Sequence, residues 1–411
     1  MSDHSHAVRG VSLPNIGDCS HATFASPHCR HSFGQWRHLE SPFLLDADRI
    51  EANVRAVQRA FGLLDPHIFY SMKANPEPIV VETLDRLGAG FDVASITEIH
   101  RLIDAGVSPE RAIFSSPIKV PAHISEAFAL GVDRFAFDSV TELEKLAERA
   151  PGSRVVLRLE VPAKGSRWPL AGKFGVPTTE ALPMLMRARE PGLRPYGLTF
   201  HVGSQCLRPE SWADAIEICR GVWADAAAEG IRLELLDLGG GLPKRYSEDV
   251  PPLETIGQHA TQAIIDAKFG PGVTYAIEPG RFVTADAGTL TATVIGKAVR
   301  HGRPWVYVDL SIYSGLLEVI GGWEYPVVTE RDDEPFQMTT LAGPTCDSTD
   351  VLMRDIELPD LQVGDRIMLL QAGAYTVGYR QYNGFAFPEV QVTGGGVESV
   401  RHARPTPAAV R

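Results

Sequence analysis

A chain of 411 residues with 44% hydrophobic content has room for two or three domains and a large core. No stretch approaches the roughly 20 apolar residues of a membrane span, and a net charge of −12, from 39 Lys+Arg against 51 Asp+Glu, argues against a general nucleic-acid binder. The first 35 residues are polar and His-rich, so no secretory leader is expected, and five scattered cysteines (Cys19, Cys29, Cys206, Cys219, Cys346) predict reduced thiols in a cytoplasmic protein.

Residues 1–40 show no periodicity. His21, His28, Cys29 and His31 fit no zinc spacing, so a loose arm without metal is expected. From about residue 47, eight short β-rich runs recur: His67–Met72, Gly90–Val93, Ala112–Ser115, Arg134–Phe137, Arg154–Leu159, Tyr196–His201, Glu234–Leu238 and Thr274–Glu278. Helix-like segments separate them, among them Ala52–Leu64, Pro78–Leu87, Ile96–Ala105, Val140–Ala150 and Ser211–Glu229. Strands alternating with helices predict βαβ units, and eight such units predict an α/β fold of the (β/α)8 barrel type. After Gly288 the rhythm changes. Leu290–Gly296, Trp305–Leu310, Gln337–Leu341, Arg366–Leu370 and Val390–Thr393 read as strands without long helices between them, which predicts a mostly antiparallel β domain. The tail 401–411, with Pro405 and Pro407, is expected to be disordered.

Barrel chemistry gathers where strands end at their C-terminal side. The first run ends in Ser71-Met72-Lys73-Ala74-Asn75 and the second in Asp92-Val93-Ala94-Ser95. The sixth ends in His201-Val202-Gly203-Ser204-Gln205, the seventh in Asp237-Leu238-Gly239-Gly240-Gly241 and the eighth in Glu278-Pro279-Gly280-Arg281. Each has an ordinary alternative: a solvated lysine, a core histidine, a glycine turn, a Glu–Arg pair. The combination is the specific signal. An amine nucleophile, glycines that expose backbone N–H groups to a phosphate, and a carboxylate at one opening suit pyridoxal 5'-phosphate. Lys73 supplies the Schiff base, the glycines and Arg281 hold phosphate, and the carboxylate keeps the ring nitrogen protonated.

From about Ser41 to Pro388 the chain resembles the fold-type-III pyridoxal-phosphate decarboxylases, the family of ornithine, lysine, arginine and diaminopimelate decarboxylases. The resemblance lies in Phe69-Tyr70-Ser71-Met72-Lys73-Ala74-Asn75, Gly90-Phe91-Asp92-Val93-Ala94-Ser95-Ile96-Thr97-Glu98, Phe200-His201-Val202-Gly203-Ser204, Gly239-Gly240-Gly241, Glu278-Pro279-Gly280-Arg281, Gly343-Pro344-Thr345-Cys346-Asp347 and Gly373-Ala374-Tyr375. It implies a TIM barrel with an alanine-racemase-like β domain. The chain then divides into an arm and strand joining the β domain (1–46), a cofactor-binding barrel (47–287), the β domain (288–400) and the tail (401–411).

The same resemblance implies the roles. Lys73 carries the cofactor, His201 stacks on its ring and Glu278 holds the pyridinium nitrogen. Ser204, Gly240, Gly241, Gly280, Arg281 and Tyr375 bind phosphate, with Asp92 and Arg158 in support. Cys346 and Asp347 arrive from the second subunit of a homodimer with shared sites. The reaction is loss of carbon dioxide from the substrate, with Cys346 donating the proton to Cα, and the product is an amine. The Gly343–Asp347 segment favours a decarboxylase over a racemase. Lys73, Glu278 and Cys346 argue against an inactive regulatory homologue.

The substrate is less sharply marked. Ornithine decarboxylases carry an acid in the stretch matching Ile320–Pro326, where this chain has Gly321-Gly322. Asp347, Glu318 and Glu324 are the candidate replacements for holding a distal ammonium, Asp347 first and Glu318 behind it. Cys346-Asp347 stands where diaminopimelate decarboxylases have Cys-Glu. The family resemblance implies a basic diamino acid; the loop Lys164-Gly165-Ser166-Arg167-Trp168-Pro169 adds a cation and an aromatic, so a larger or carboxylate-bearing conjugate contacting Arg167, of the kind used in siderophore or antibiotic pathways, is the alternative.

Overall fold

The computed structural model of the chain describes residues 43–395 apart from 171, 332 and 380. The expected arm before residue 43, with its histidines, Cys19 and Cys29, and the tail 401–411 lie outside the described residues. The described chain forms two units. One comprises Glu51–Arg245 and Asp249–Val283; the other comprises 43–50, Tyr246–Glu248 and 284–395.

Strand β1 (Phe43–Asp46) opens the described residues. The first unit follows with β2 (His67–Ser71), β3 (Gly90–Val93), β4 (Ala112–Phe114), β5 (Arg134–Phe137), β6 (Arg154–Arg158), β7 (Ser166–Trp168), β8 (Arg194–Thr199), β9 (Ser204–Cys206), β10 (Leu235–Asp237) and β11 (Thr274–Ile277). Eight of these, all but β1, β7 and β9, close into a parallel barrel running β2-β3-β4-β5-β6-β8-β10-β11 and back to β2. Alternation of short apolar runs with amphipathic helices therefore does build the (β/α)8 barrel. Phe69, Ile113, Val156, Leu235 and Ala276, from five different strands, form one buried cluster, as a packed barrel interior requires.

Local chemistry sets where elements start and stop. Asp46 Oδ1 accepts from Asp48 N and Arg49 N at 2.9 and 3.1 Å, so the first helix begins at Ala47 rather than at Ala52. Ser95 and Ser139 each cap a helix by accepting from the N–H three residues on, at Glu98 and Glu142. Most barrel strands stop a residue or two before the apolar run does, so Lys73, Ser115, His201 and Glu278 lie in the loops just beyond their strands.

The second unit holds β12 (Gly288–Arg300), β13 (Arg303–Val308), β14 (Val327–Thr329), β15 (Phe336–Ala342), β16 (Val351–Pro359), β17 (Arg366–Leu369), β18 (Gln381–Tyr382), β19 (Phe385–Ala386) and β20 (Val390–Thr393). Its main sheet runs β14-β17-β12-β13-β15-β16. β1 adds antiparallel to β12 and parallel to β20. Antiparallel pairs dominate; among the described residues of this unit only β13–β15 and β1–β20 run parallel. Strand β16 escaped the sequence pattern for a physical reason. Thr339 pairs with Ile356 and Leu341 with Met353, so Arg354 and Asp355 face the single residue Thr340 in a bulge, with Asp355 at a φ of +53°. The extra residue breaks the period-2 alternation. A second difference lies at 164–169, expected as a loop. Ser166–Trp168 is a strand, paired antiparallel with β9 through Ser166–Cys206 and Trp168–Ser204.

Candidate active site

Lys73 sits in a single turn of 3-10 helix, Met72–Ala74, directly after β2. Tyr70 OH donates to Asn75 O at 3.0 Å and fastens the turn, while Ser71 N donates to Pro279 O at 3.1 Å and ties it to the loop after β11. Lys73 Nζ lies 2.5 Å from Asp92 Oδ2, its side chain 48% exposed and that of Asp92 1%. Ser71 Oγ donates to the same oxygen at 2.7 Å. Burying a carboxyl this deeply is costly unless it is paired and hydrogen-bonded; Lys73 and Ser71 supply both at Oδ2, while the buried Oδ1 has no hydrogen-bond partner among the described residues.

Glu278 follows β11 and is buried, its Oε1 accepting from Ser115 Oγ at the end of β4. Burial, with Asp237 and Asp92 nearby, pushes its carboxyl well above the usual range. Asp237, the last residue of β10, is fully buried and is pushed up to about 6 by that burial, against the Gly239 N–H that donates to its Oδ1 at 3.0 Å. Arg158 ends β6 over the Phe174 ring, 5.4 Å from its centroid. Burial lowers its pKa, while Glu278 and three aspartates counter that. His201 Nδ1 accepts from Gly203 N at 2.9 Å. Burial, then Arg158 and Lys73, push His201 down to about 3, so the imidazole is neutral and its one proton belongs on Nε2.

The glycine triplet follows β10. Gly241 has a φ of +94°, and a Cβ there would stand 2.4 Å from Gly203 O; at Gly240 a Cβ would stand 2.7 Å from Glu278 O. No side chain fits, so this loop presents bare backbone. Cys206 N donates to Gly241 O at 3.0 Å, and Gln205 clasps the next turn through both backbone groups of Lys244. Ser204 opens β9. Gly280 and Arg281 follow Glu278, and Arg281, 5% exposed, opens the short helix Arg281–Thr284. A lysine, a cradle that a Cβ would fill, a buried arginine and a carboxyl poised to share a proton fit pyridoxal phosphate.

The remaining sequence candidates are placed as follows. Arg167 is exposed in β7. Glu318, Cys346, Asp347 and Tyr375 belong to the sheet unit. Glu318 is partly buried in the turn Leu317–Gly321, and Tyr375 holds a φ of +60°. Cys346 is exposed, its Sγ 3.8 Å from Asn383 Nδ2. Asp347 is pinned: Thr349 N and Oγ1 donate to Oδ1 at 2.9 and 2.8 Å, and Tyr313 OH donates to Oδ2 at 2.9 Å. These bonds, the Thr349 N–H foremost, hold its carboxyl below the usual range. Tyr313 in turn lies 4.5 Å from the Tyr382 ring.

Sequence reasoning missed Ser115, Asp237, Glu98 and Tyr313. Asp237 and Glu98 stood in quoted motifs. An acid closing an apolar run, or in the third position of a capped helix, was the available signal; Glu98 Oε2 accepts from Ala94 N at 2.6 Å, and burial raises its pKa. Ser115 and Tyr313 carry no local signal. Among the described residues no group of three or more His, Cys, Asp or Glu is placed to hold a metal ion.

The profile of the family described as pyridoxal-dependent decarboxylase, pyridoxal binding domain, matches residues 47–285. The chain belongs to the pyridoxal-dependent decarboxylases. It is 35% identical over 356 residues to the lysine/ornithine decarboxylase of Selenomonas ruminantium, covering 85% of this chain and 88% of that one. The lysine/ornithine decarboxylase of Vibrio vulnificus, solved in complex with putrescine, superimposes with a TM-score of 0.80 at 32% identity, covering 90% of this chain and 99% of that one. An antizyme inhibitor 2 from Xenopus laevis is 33% identical over 336 residues, covering 77% and 73%. This decarboxylase is a fold-type-III enzyme, similar to ornithine/lysine decarboxylases, and its cofactor is pyridoxal 5'-phosphate.

Proposed function

We propose that this decarboxylase removes the α-carboxylate of ornithine or lysine to give the diamine. The observation that carries this is the half-exposed Lys73 paired with buried Asp92, with buried Asp237 and Glu278 beside the glycine loop at the C-terminal end of the barrel. The lysine/ornithine decarboxylases among its relatives, one solved with putrescine, support the diamino substrate.

When bound, the cofactor supplies an electron sink for the carbanion left by carbon dioxide. The chain supplies the rest. Lys73 Nζ would hold the cofactor, and Asp92 Oδ2, 2.5 Å away, would exchange a proton with the amine when it is free. Glu278, its carboxyl pushed up by burial beside Asp237, would share a proton with the ring nitrogen, and neutral His201 would offer a flat face without adding charge. Ser204, Gly240, Gly241, Gly280, Arg281 and Tyr375 hold phosphate, with Arg158 in support. Cys346 delivers the proton to Cα, and Asp347 holds the distal ammonium, with Glu318 behind it. Cys346 and Asp347 act on the site of the other protomer in a homodimer, and the protein works in the cytoplasm, in polyamine synthesis. Among the described residues no helix is long and apolar enough to cross a membrane.

A second reading has two observations of its own. Gly321-Gly322 removes the acid expected to meet a distal ammonium, and Arg167 is exposed in β7. A larger, carboxylate-bearing amino acid is that reading. A screen of purified protein with pyridoxal phosphate against ornithine, lysine, arginine and amino-acid conjugates, scored by carbon dioxide and amine release, decides. Turnover of ornithine or lysine supports the proposal; turnover of carboxylate-bearing conjugates alone overturns it. Lack of turnover across the screen, with Schiff-base absorbance absent, would mark a regulatory homologue.

A further inference from the structure

Two buried charges stand in the barrel wall away from Lys73. The Lys119 side chain is 0% exposed and that of Glu142 is 1%. Lys119 Nζ donates to Ser116 O at 2.8 Å and to Ala136 O at 2.6 Å, and lies 2.9 Å from Glu142 Oε1. Lys145 Nζ closes the group, 2.5 Å from Glu142 Oε2 and 2.6 Å from Lys119 O. Glu142 is itself fixed on its helix, since its N–H donates to Ser139 Oγ. An ammonium buried this completely is costly; burial lowers the Lys119 pKa to about 8.

The geometry shows what this arrangement secures. Ser116 is the residue after Ser115, and Ser115 Oγ donates to Glu278 Oε1. Lys119 thus clamps the loop after β4 to the end of β5 through Ala136 O, and the helix Val140–Arg149 braces the clamp through Glu142 and Lys145. Exposed apolar residues flank it, Ile118 at 59% and Val120 at 53%, so apolar burial in this loop falls to Pro117 and the polar clamp carries much of the rest.

We propose that Ser115 is a positioning residue for Glu278, and that the Lys119–Glu142–Lys145 cluster acts as a strut that holds Ser115 in place. Ser115 on Oε1 and Asp237, hydrogen-bonded to the same carboxyl, would hold it in one orientation for the ring nitrogen. The inference rests on the function proposed above and adds a path from the barrel wall to the cofactor carboxyl.

The test measures pyridoxal-phosphate affinity of the apo-protein by fluorescence, together with kcat and KM. Glu278→Gln is the reference: if it leaves affinity and kcat unchanged, the function reading itself fails. With that reference in place, Ser115→Ala should weaken cofactor binding by about tenfold, the worth of one good hydrogen bond to a charged or shared-proton carboxyl, and lower kcat with little change in KM. Ser115→Thr, which keeps the hydroxyl, should restore both. The strut is tested by Lys119→Met/Glu142→Leu, an apolar replacement that removes the fully buried pair together and leaves Lys145, 27% exposed, to solvent and Lys119 O, with folding verified by circular dichroism. It should weaken cofactor binding in the native background and add nothing in the Ser115→Ala background. Equal losses in both backgrounds would overturn the strut, and an unaltered affinity in Ser115→Ala would overturn the positioning role while leaving the decarboxylase reading intact.

Discussion

Tyr313 OH donates to Asp347 Oδ2 at 2.9 Å, while Thr349 holds the other oxygen, Oδ1, through its N–H and its hydroxyl. The carboxylate is therefore oriented before any substrate arrives, and preorganised charge loses less on binding. Asp347→Ala should raise the KM for ornithine and lysine by roughly tenfold or more, with cofactor affinity unchanged, because a distal ammonium loses its partner. Tyr313→Phe should raise KM by a smaller factor. Steady-state kinetics on both diamino acids checks this, and an unmoved KM in Asp347→Ala refutes the assignment.

The Lys73–Asp92 pair makes a second expectation. Borohydride reduction of the holoenzyme followed by peptide mapping should label Lys73 alone. Asp92→Asn removes the proton partner while keeping the shape, so kcat should fall by about a hundredfold, the low end of general acid–base contributions. Label at a different lysine would dismiss the cofactor assignment.

His201 sets a pH signature. Its folded pKa, pushed down to about 3, lies below the ordinary 6.5. The folded state thus binds fewer protons than the unfolded one between these values. The stability tied to a neutral His201 is fully present above about 6.5 and drains away as pH falls toward 3. NMR of labelled histidine should show no titration of His201 between pH 5 and 8. A midpoint inside that range would contradict the buried neutral ring.

If the sites are shared between protomers, Lys73→Ala and Cys346→Ala proteins are each inactive alone yet complement each other. Random exchange of equal amounts makes half the dimers mixed, each with one intact site. About a quarter of the wild-type activity should therefore return. Absence of recovery, with exchange verified by mass spectrometry, would place both residues in one chain's own site.

The cradle gives a last expectation. Gly241→Ala puts a Cβ 2.4 Å from Gly203 O at a φ of +94°. The backbone must shift, at about 1–2 kcal/mol for the left-handed conformation alone. Apparent affinity for pyridoxal phosphate should fall steeply while the unliganded protein stays folded, as titration and thermal melts will show.

The order of chemical groups along this chain was legible without coordinates. Apolar runs spaced by helical patterns marked the barrel strands, because burial on both faces leaves a continuous signal. Lys73, His201, the glycine triplet and Glu278 followed those runs, and local sequence placed them at strand ends. Tertiary structure decided what no local pattern encodes. Asp237 joins Glu278, and Ser115 reaches it from 163 residues earlier in the chain, because closing a barrel makes neighbours of β4, β10 and β11 residues that sequence separates. Strand β16 stayed hidden since its bulge at Arg354 and Asp355 erases alternation, and β7 because three residues are too few to show a period. The carboxyl and imidazole pKa values depend on burial and on charges from different strands, so the protonation of Glu278 and His201 exists only once the fold has brought those charges together.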